Sequence, residues 1–142
     1  HIQRLMVVGL YSLLRGVNPE EINNWFLASY VDAVDWVTTP NVIGMSQFAD
    51  GGLMASKPYS ATGAYINRMS NYCKGCQYNP KESIGPKACP FTTLYWNFLD
   101  RHRERLSGNQ RMIMQMRNLD RLDELKLKGI RKAADSLLYQ SN

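Results

Sequence analysis

The sequence is poor in cysteine and in long apolar runs, and these two shortages exclude several classes of protein. Its 142 residues contain three Cys, an odd and low number that argues against a secreted disulfide scaffold. The longest run built only of apolar, Gly or Tyr residues, Leu5 to Tyr11, has seven residues, whereas a membrane span needs roughly 20. We therefore expect neither a disulfide framework nor a membrane-spanning helix.

Glycine and proline are not enriched, with ten and six residues, which excludes collagen-like repeats and low-complexity disorder. No segment alternates as a β-strand would, and no internal repeat is visible. A hydrophobic content of 44% suffices for the core of one domain of this length. The first residue is His1 rather than Met, and no leader peptide can be read, which indicates a piece of a longer protein. These features predict one all-α domain over residues 1–142.

Charge is unevenly distributed along the chain. The formal net charge is +5, yet residues 1–72 carry four Lys or Arg against five Asp or Glu, while residues 73–142 carry thirteen against seven. A basic half suits a polyanionic partner, although scattered Lys and Arg more commonly form a solvated helix face. Composition alone therefore leaves an enzyme domain and a small binding module both open.

The first half of the chain is predicted to form two helices followed by a long loop region. Residues 1–15 are apolar on nearly every side, so we expect this helix to be buried against protein that the sequence does not contain. Asn18 followed by Pro19 predicts the capped start of a second helix that runs to about Trp36. Residues 38–65 lose the helical period and indicate a long structured loop region with short helical turns, of the kind that is usually functional.

The second half is predicted to begin with a turn-rich excursion over residues 73–90, which holds all three Cys. Helical spacing resumes at Phe91 and should end near Gly108. A last helix is expected over residues 119–138, weakened in its middle by Gly129.

Cys73, Cys76 and Cys89 form the sharpest chemical signal. Two thiolates separated by two residues can bind one metal ion or cluster, and the third arrives from the end of a short loop. A zinc ion would need a fourth ligand, for which His102 is the nearby candidate, whereas an iron–sulfur cluster usually takes four Cys. Either way one ligand is missing or unusual, and a fourth Cys upstream of residue 1 is the simplest explanation.

Several separate motifs carry a family resemblance that extends over the whole chain. The sequence resembles the iron–sulfur bacterial cryptochromes and photolyases, the prokaryotic (6-4) photolyase group. The matching segments are residues 1–6, 41–52, 57–59, 65–70, 73–76 and 88–91.

The resemblance implies that this is the C-terminal part of a helical FAD-binding domain, without the N-terminal antenna domain and the first part of the helical domain. It implies FAD, a 4Fe-4S cluster held by Cys73, Cys76, Cys89 and an upstream Cys, and an antenna chromophore bound by the missing domain. The implied activity is light-dependent DNA repair, with an electron passing from reduced FAD to a (6-4) photoproduct, and photolyases extrude their target base. A cytoplasmic, monomeric full-length protein that binds UV-damaged DNA is expected, with the piece inactive alone.

The family's site residues can be matched one at a time. His1 corresponds to a histidine that exchanges a proton with the lesion, and Leu5, Met45 and Tyr59 correspond to residues of the lesion pocket. Asn41 corresponds to the residue that faces the reactive flavin nitrogen.

Trp25 corresponds to an electron-relay tryptophan, but Phe26 stands where relatives have Tyr. Because Phe has no phenolic proton to lose, the outer end of the relay is altered. Lys57, Arg68 and Arg101 are candidate phosphate contacts, together with Arg103 and Arg105.

Each match also has a structural explanation. Met45 and Tyr59 are residue types common in cores, and Asn41 suits a turn after Pro40. At least one of the basic residues near His102 is expected to be a solvated charge or a partner for Asp100 or Glu104. Two other functions are compatible with the same sequence: a cryptochrome-type blue-light sensor with the same cofactors, and a small zinc-bound nucleic-acid-binding module.

Overall fold

Helices and connecting turns make up the chain in the computed structural model, which describes residues 4–139. No strand occurs among these residues, and the nearest approach to one is an isolated bridge between Asn79 and Ala88. The all-α prediction is therefore confirmed. The chain divides into two units, His1–Ser60 and Ala61–Asn142, and each is described by itself.

The first unit consists of short helical segments, two of which are π-helical. Its described elements are π1 (Leu5–Gly9), α1 (Leu10–Arg15), α2 (Pro19–Ser29), α3 (Asp35–Thr39) and π2 (Pro40–Ser46).

The start of α2 follows the sequence prediction closely. The Asn18 side chain accepts a hydrogen bond from the Glu20 backbone N–H at 2.9 Å, and Pro19 occupies the first helical position. The preceding helix ends at Gly16, whose φ of 72° is the left-handed conformation of a helix C-terminus. Local chemistry therefore decides this boundary.

The end of α2 differs from the prediction. The helix stops at Ser29 instead of continuing to Trp36, and Tyr30 is extended with φ −123° and ψ 122°. Val31 and Trp36, two apolar residues in the segment predicted to continue the helix, are strongly exposed. Because this side of the segment meets no core, its apolar spacing is not reinforced by packing.

The predicted loop region begins as helix. Pro40 does not interrupt the helical conformation, and α3 passes directly into π2. Proline is tolerated there because the first residues of a helix need no hydrogen bond from their backbone N–H. The loop proper lies at residues 47–62 and is shorter than predicted. In the core of this unit, Ile22, Phe26 and Val42 pack together, with Leu5 and Val8 against them.

The second unit holds the Cys-rich excursion and the remaining helices. Its described elements are α4 (Gly63–Met69), α5 (Pro90–Arg101), α6 (Arg103–Ser107), a 3₁₀ turn (Gln110–Met112), α7 (Ile113–Asp120) and α8 (Glu124–Tyr139). Helix α5 packs against α8, and Leu94, Leu99 and Ile130 are fully buried.

The predicted last helix is two helices. Residues 121–123 separate α7 from α8, and Asp123 accepts a hydrogen bond from the Lys126 backbone N–H at 2.6 Å, as a helix N-cap does. Gly129 lies inside α8 at a close contact, because a Cβ there would stand 2.8 Å from Ile84 Cδ1. Packing of α8 against the Cys-rich excursion therefore explains why a glycine occupies position 129 inside the helix. Within residues 4–139, no helix is long and apolar enough to cross a membrane.

Candidate functional site

A cavity in the first unit gathers the residues that the resemblance assigned to the lesion pocket. Its volume is about 270 Å³. The matched residues Leu5, Met45, Tyr59 and Asn41 all line it, and Met6 and Ser46 complete the lining. The structure therefore brings together four side chains that lie up to 54 positions apart in the sequence.

The two walls of this cavity are the π-helical segments, held at an unusually close approach. A Cβ on Gly9 would stand 2.2 Å from Ser46 Oγ and 3.3 Å from Ser46 Cβ, so a larger residue would have to displace the Ser46 side chain. Gln47 Nε2 donates a buried hydrogen bond of 2.9 Å to the Gly9 carbonyl, which ties π1 to the end of π2. π-Helical turns are rare in proteins, and those that occur often lie at functional sites.

The loop that carries Tyr59 is ordered by an aspartate. Asp50 accepts hydrogen bonds from the backbone N–H groups of Gly52 at 2.9 Å and Met54 at 2.8 Å. Desolvation raises the pKa of Asp50, but these backbone hydrogen bonds and one from Leu53 outweigh it and lower the pKa below its ordinary value. Lys57, a predicted phosphate contact, is partly exposed on the same loop.

A second cavity adjoins the first at shared lining residues. Its volume is about 210 Å³, below the roughly 300–1,000 Å³ of complete small-molecule sites, so these residues would surround only part of a cofactor as large as FAD. Leu5 and Asn41 line both cavities, and Arg4, Tyr30 and Asp32 belong to the second alone. Asn41 Nδ2 donates to the Val37 carbonyl at 2.7 Å, which fixes the amide group of Asn41.

The relay candidate Trp25 lies on α2 beside this cavity's wall. Its side chain is 46% exposed, whereas that of Phe26 is buried and lines the cavity. The two rings meet edge to face with centroids 5.4 Å apart. Phe26, where the resemblance leads us to expect Tyr, is therefore the buried member of this pair.

The three cysteines all carry free thiols and lie at different depths in the second unit. Cys73 is partly buried, Cys76 is exposed and Cys89 is buried. The Cys76 backbone N–H donates to the Cys73 carbonyl at 3.3 Å, which closes a tight turn between them. Partial burial, and then the neighbouring thiols of Cys89 and Cys76, raise the pKa of Cys73 above its ordinary value.

Cys89 has the most constrained position of the three. It caps α5, and a Cβ on Gly63 would stand 2.5 Å from Cys89 Sγ. Thr92 Oγ1 accepts from the Gly63 backbone N–H at 3.0 Å and donates to the Pro80 carbonyl at 2.7 Å, so it joins α4, the excursion and α5 around this sulfur. The position of the Cys89 side chain is thus fixed by buried contacts.

Coordination geometry is not formed in the described part of the chain, where no three His, Cys, Asp or Glu side chains come together as a metal site would require. The zinc-ligand candidate His102 follows α5, and its ring packs on that of Phe98 with centroids 4.7 Å apart. Burial, then Arg101 and Arg105, lower the pKa of His102. Three free thiols on one excursion suit a soft metal or an iron–sulfur cluster, and the sequence contains no fourth Cys.

The basic candidates of the second unit have different environments. Arg68 and Arg101 are exposed. Arg103 instead pairs with Asp100 at 3.5 Å and also with Asp120. Arg103 thus has Asp100 as an acidic partner, which is one of the two roles expected for a basic residue beside His102.

His1 lies outside the described residues. Sequence reasoning missed Met6 and Ser46 in the first cavity and Arg4 and Tyr30 in the second. Tyr30 had no helical signal, because it is extended beyond the end of α2 and its ring position depends on the turn there. Ser46 had none, because its position depends on the close approach of two separate segments.

Comparison with known proteins finds relatives that align with most of this chain. No protein-family model matches the chain. The chain is 32% identical to the uncharacterized protein R855 of Acanthamoeba polyphaga mimivirus over 98 residues, which are 69% of this chain and 72% of that protein. It is 51% identical to a (6-4) photolyase of Agrobacterium fabrum over 138 residues, 97% of this chain and 27% of that protein. The chain therefore belongs to the (6-4) photolyase family, and it spans about a quarter of the length of this relative.

Proposed function

We propose that this sequence is part of a light-dependent DNA repair enzyme that acts on (6-4) pyrimidine photoproducts. The observation that carries the proposal is the cavity that Leu5, Asn41, Met45 and Tyr59 share. Identity of 51% to a protein named as a (6-4) photolyase supports the same activity. The enzyme is proposed to be cytoplasmic and monomeric, with DNA as its partner.

The cavity is suited to a base that has left the DNA stack. Enzymes that act on an extruded base hold it between apolar and aromatic side chains and read its polar edge by hydrogen bonds. Leu5, Met45 and Tyr59 supply the apolar and aromatic surfaces, and Ser46 and Asn41 supply polar groups. The proposed proton exchange with the lesion belongs to His1, four residues before Leu5.

FAD is proposed to bind on the side of Asn41 that faces the second cavity. When bound, FAD supplies the electron that opens the photoproduct. Asn41 would hold its fixed amide toward the cofactor, and Trp25 would pass electrons along the outer face of α2. Leu5, which lines both cavities, would separate the cofactor from the lesion.

The cysteines are proposed to bind a 4Fe-4S cluster with a fourth Cys from outside this sequence. Three free thiols with a C-x-x-C turn supply the right donors. Substitution of Cys76 by Ala should then remove the cluster and lower stability, since cluster binding is coupled to folding.

Individual basic residues are proposed to contact phosphates of the DNA backbone. Lys57 lies on the loop that also carries Tyr59, so it is placed to hold a phosphate near an extruded base. Arg68 and Arg101 are exposed and would contribute further phosphate contacts. These contacts would position the DNA without reading its sequence.

The test is repair by a full-length protein that contains this sequence. The protein is purified without oxygen, its flavin is fully reduced, and an oligonucleotide with one (6-4) photoproduct is illuminated with it. We expect light-dependent loss of the photoproduct, and we expect the His1→Ala variant to lose this activity.

Two results would point to the alternatives. Absence of repair by a protein with fully reduced flavin would favour a blue-light sensor. A colourless protein that contains zinc, and neither flavin nor iron, would favour the small nucleic-acid-binding module.

A further inference from the structure

Three aromatic rings at the end of α2 form a closed triangle. The Trp25 and Tyr30 centroids are 5.9 Å apart with the rings nearly perpendicular, and the Phe26 and Tyr30 centroids are 5.6 Å apart. With the 5.4 Å contact between Trp25 and Phe26, every ring touches the other two. The phenol that is absent from position 26 is therefore present four residues later, in contact with the same indole.

Of the three rings, only those of Trp25 and Tyr30 are readily oxidised by one electron. Indole and phenol lose one electron far more easily than the benzene ring of Phe. At neutral pH a phenol that gives its proton to water is easier to oxidise than an indole. A positive charge created on Trp25 therefore has Tyr30 as its favourable destination in this triangle.

The surroundings of Tyr30 favour loss of the proton with the electron. The Arg4 guanidinium lies over the Tyr30 ring, 4.1 Å from its centroid, and is held there by Asp32 at 3.0 Å. A second positive charge on this ring would be repelled by Arg4, whereas a neutral phenoxyl would not. Tyr30 is partly exposed, so water is available as the proton acceptor.

Another Trp–Tyr contact in the chain lacks these features. The Tyr95 and Trp96 centroids are 5.2 Å apart in a similar edge contact. Tyr95 is buried in α5, and desolvation raises the pKa of its phenol to about 12. Proton loss there is disfavoured, so this pair serves as an internal comparison.

We propose that Tyr30 is the electron donor that restores oxidised Trp25, in place of the phenol that Phe26 lacks. One electron passes from Tyr30 to the Trp25 radical cation, which becomes a neutral closed-shell indole. The phenolic proton passes to water, and a neutral Tyr30 phenoxyl radical remains. The assignment of flavin as the oxidant of Trp25 rests on the proposed function, but the transfer between the two side chains does not.

The test oxidises indole by pulse radiolysis with the azide radical, which takes one electron and becomes azide ion. Trp36→Phe/Trp96→Phe leaves Trp25 as the single indole, and Trp25→Phe/Trp36→Phe leaves Trp96. We expect rapid decay of the indolyl absorption with matching growth of phenoxyl absorption in the first chain. In the second chain we expect this fast phase to be absent. A rate that does not depend on protein concentration shows transfer within one molecule.

Two further substitutions in the Trp25-only chain identify the donor. Tyr30→Phe should abolish the fast phase, and Tyr139→Phe, which changes a phenol that is 75% exposed, should leave it unchanged. Circular dichroism checks that each variant is folded. If the double variants do not fold, Tyr30→Phe in the otherwise unchanged chain should reduce the fast phenoxyl signal. A fast phase that persists in either Tyr30→Phe protein overturns the proposal, whether or not the full-length protein repairs DNA.

Discussion

At the scale of single residues, the first cavity depends on a glycine. Substituting Gly9 by Ala places a methyl group 2.2 Å from Ser46 Oγ, where both residues are buried. Relief of this overlap requires Ser46 Oγ to turn away from its hydrogen bond with Gln47, or π1 and π2 to move apart, so we expect a loss of about 1–3 kcal/mol in the free energy of unfolding. Urea denaturation followed by circular dichroism measures it.

Two controls accompany the Gly9 substitution. Gly108→Ala adds the same methyl group at a position with nothing within 4 Å, and should change stability little. Ser46→Gly combined with Gly9→Ala removes the overlap and should recover part of the lost unfolding free energy. A double-mutant cycle of the two substitutions measures this recovery. A Gly9→Ala chain as stable as the Gly108→Ala chain would contradict the close approach of the two segments.

A second glycine controls the position of a thiol. Gly63→Ala would drive a methyl group to 2.5 Å from Cys89 Sγ, and the surrounding contacts of Thr92 leave the sulfur little room. If Cys89 binds the proposed cluster, the substitution should lower iron and acid-labile sulfide per chain in the full-length protein. Elemental analysis of protein prepared without oxygen measures both.

The matched control lies between the other two cysteines. Gly75→Ala adds a methyl group inside the C-x-x-C turn, where nothing lies within 4 Å, and should leave the iron content unchanged. Equal iron in the two variants would show that Cys89 does not need its present position to bind metal.

At the scale of elements, an ion pair joins the two main helices of the second unit. Asp100 on α5 accepts a 2.7 Å hydrogen bond from Arg131 Nε on α8. This hydrogen bond, with the charges of Arg131 and Arg103, outweighs desolvation and holds the pKa of Asp100 below its ordinary 3.8. The pair is partly screened by water, since the Arg131 side chain is 43% exposed.

A pH dependence follows from the lowered pKa of Asp100. Because the folded state binds the proton more weakly than the unfolded state, the stabilisation is full above pH 3.8 and is lost as the pH falls through the folded pKa. Asp100→Asn should cost about 1–2 kcal/mol near neutral pH and reduce the acid-induced loss of stability. Unfolding free energies measured from neutral to acidic pH test both effects.

Glu124→Gln is the matched control for Asp100→Asn. Glu124 also pairs with Arg131, at 3.0 Å, but its side chain is 62% exposed. We expect a change within about 0.5 kcal/mol. If Glu124→Gln lowered the free energy of unfolding as much as Asp100→Asn does, the burial of Asp100 would not explain its larger expected contribution.

Element boundaries were predictable where a local cap exists. Asn18 and Pro19 determine the start of α2 through a side-chain hydrogen bond and a fixed φ. The stop at Ser29 was not predictable, because it depends on Tyr30 packing back against Trp25, Phe26 and Arg4. The split between α7 and α8 had a readable signal in Asp123, which apolar spacing concealed.

At the scale of the whole molecule, the chain supplies only part of the proposed site. The two cavities that hold the matched residues measure about 270 and 210 Å³, and the chain contains three of four proposed cluster ligands. We expect the 142-residue chain alone to show no light-dependent repair with added FAD and reductant. The full-length protein under the same illumination is the positive control, and multiple turnovers by the chain alone would contradict the prediction.

The sequence by itself determined the all-α class, the capped start of α2 and the grouping of thiols on one excursion, because these depend on neighbouring residues. Its motifs also carried the family resemblance. Only the tertiary structure decided that Leu5, Asn41, Met45 and Tyr59 share a cavity, since this requires π1, π2 and the following loop to meet at Gly9 and Ser46. It also decided that the phenol of Tyr30 lies against the indole of Trp25, because the turn at the end of α2 brings the Tyr30 ring back onto that helix.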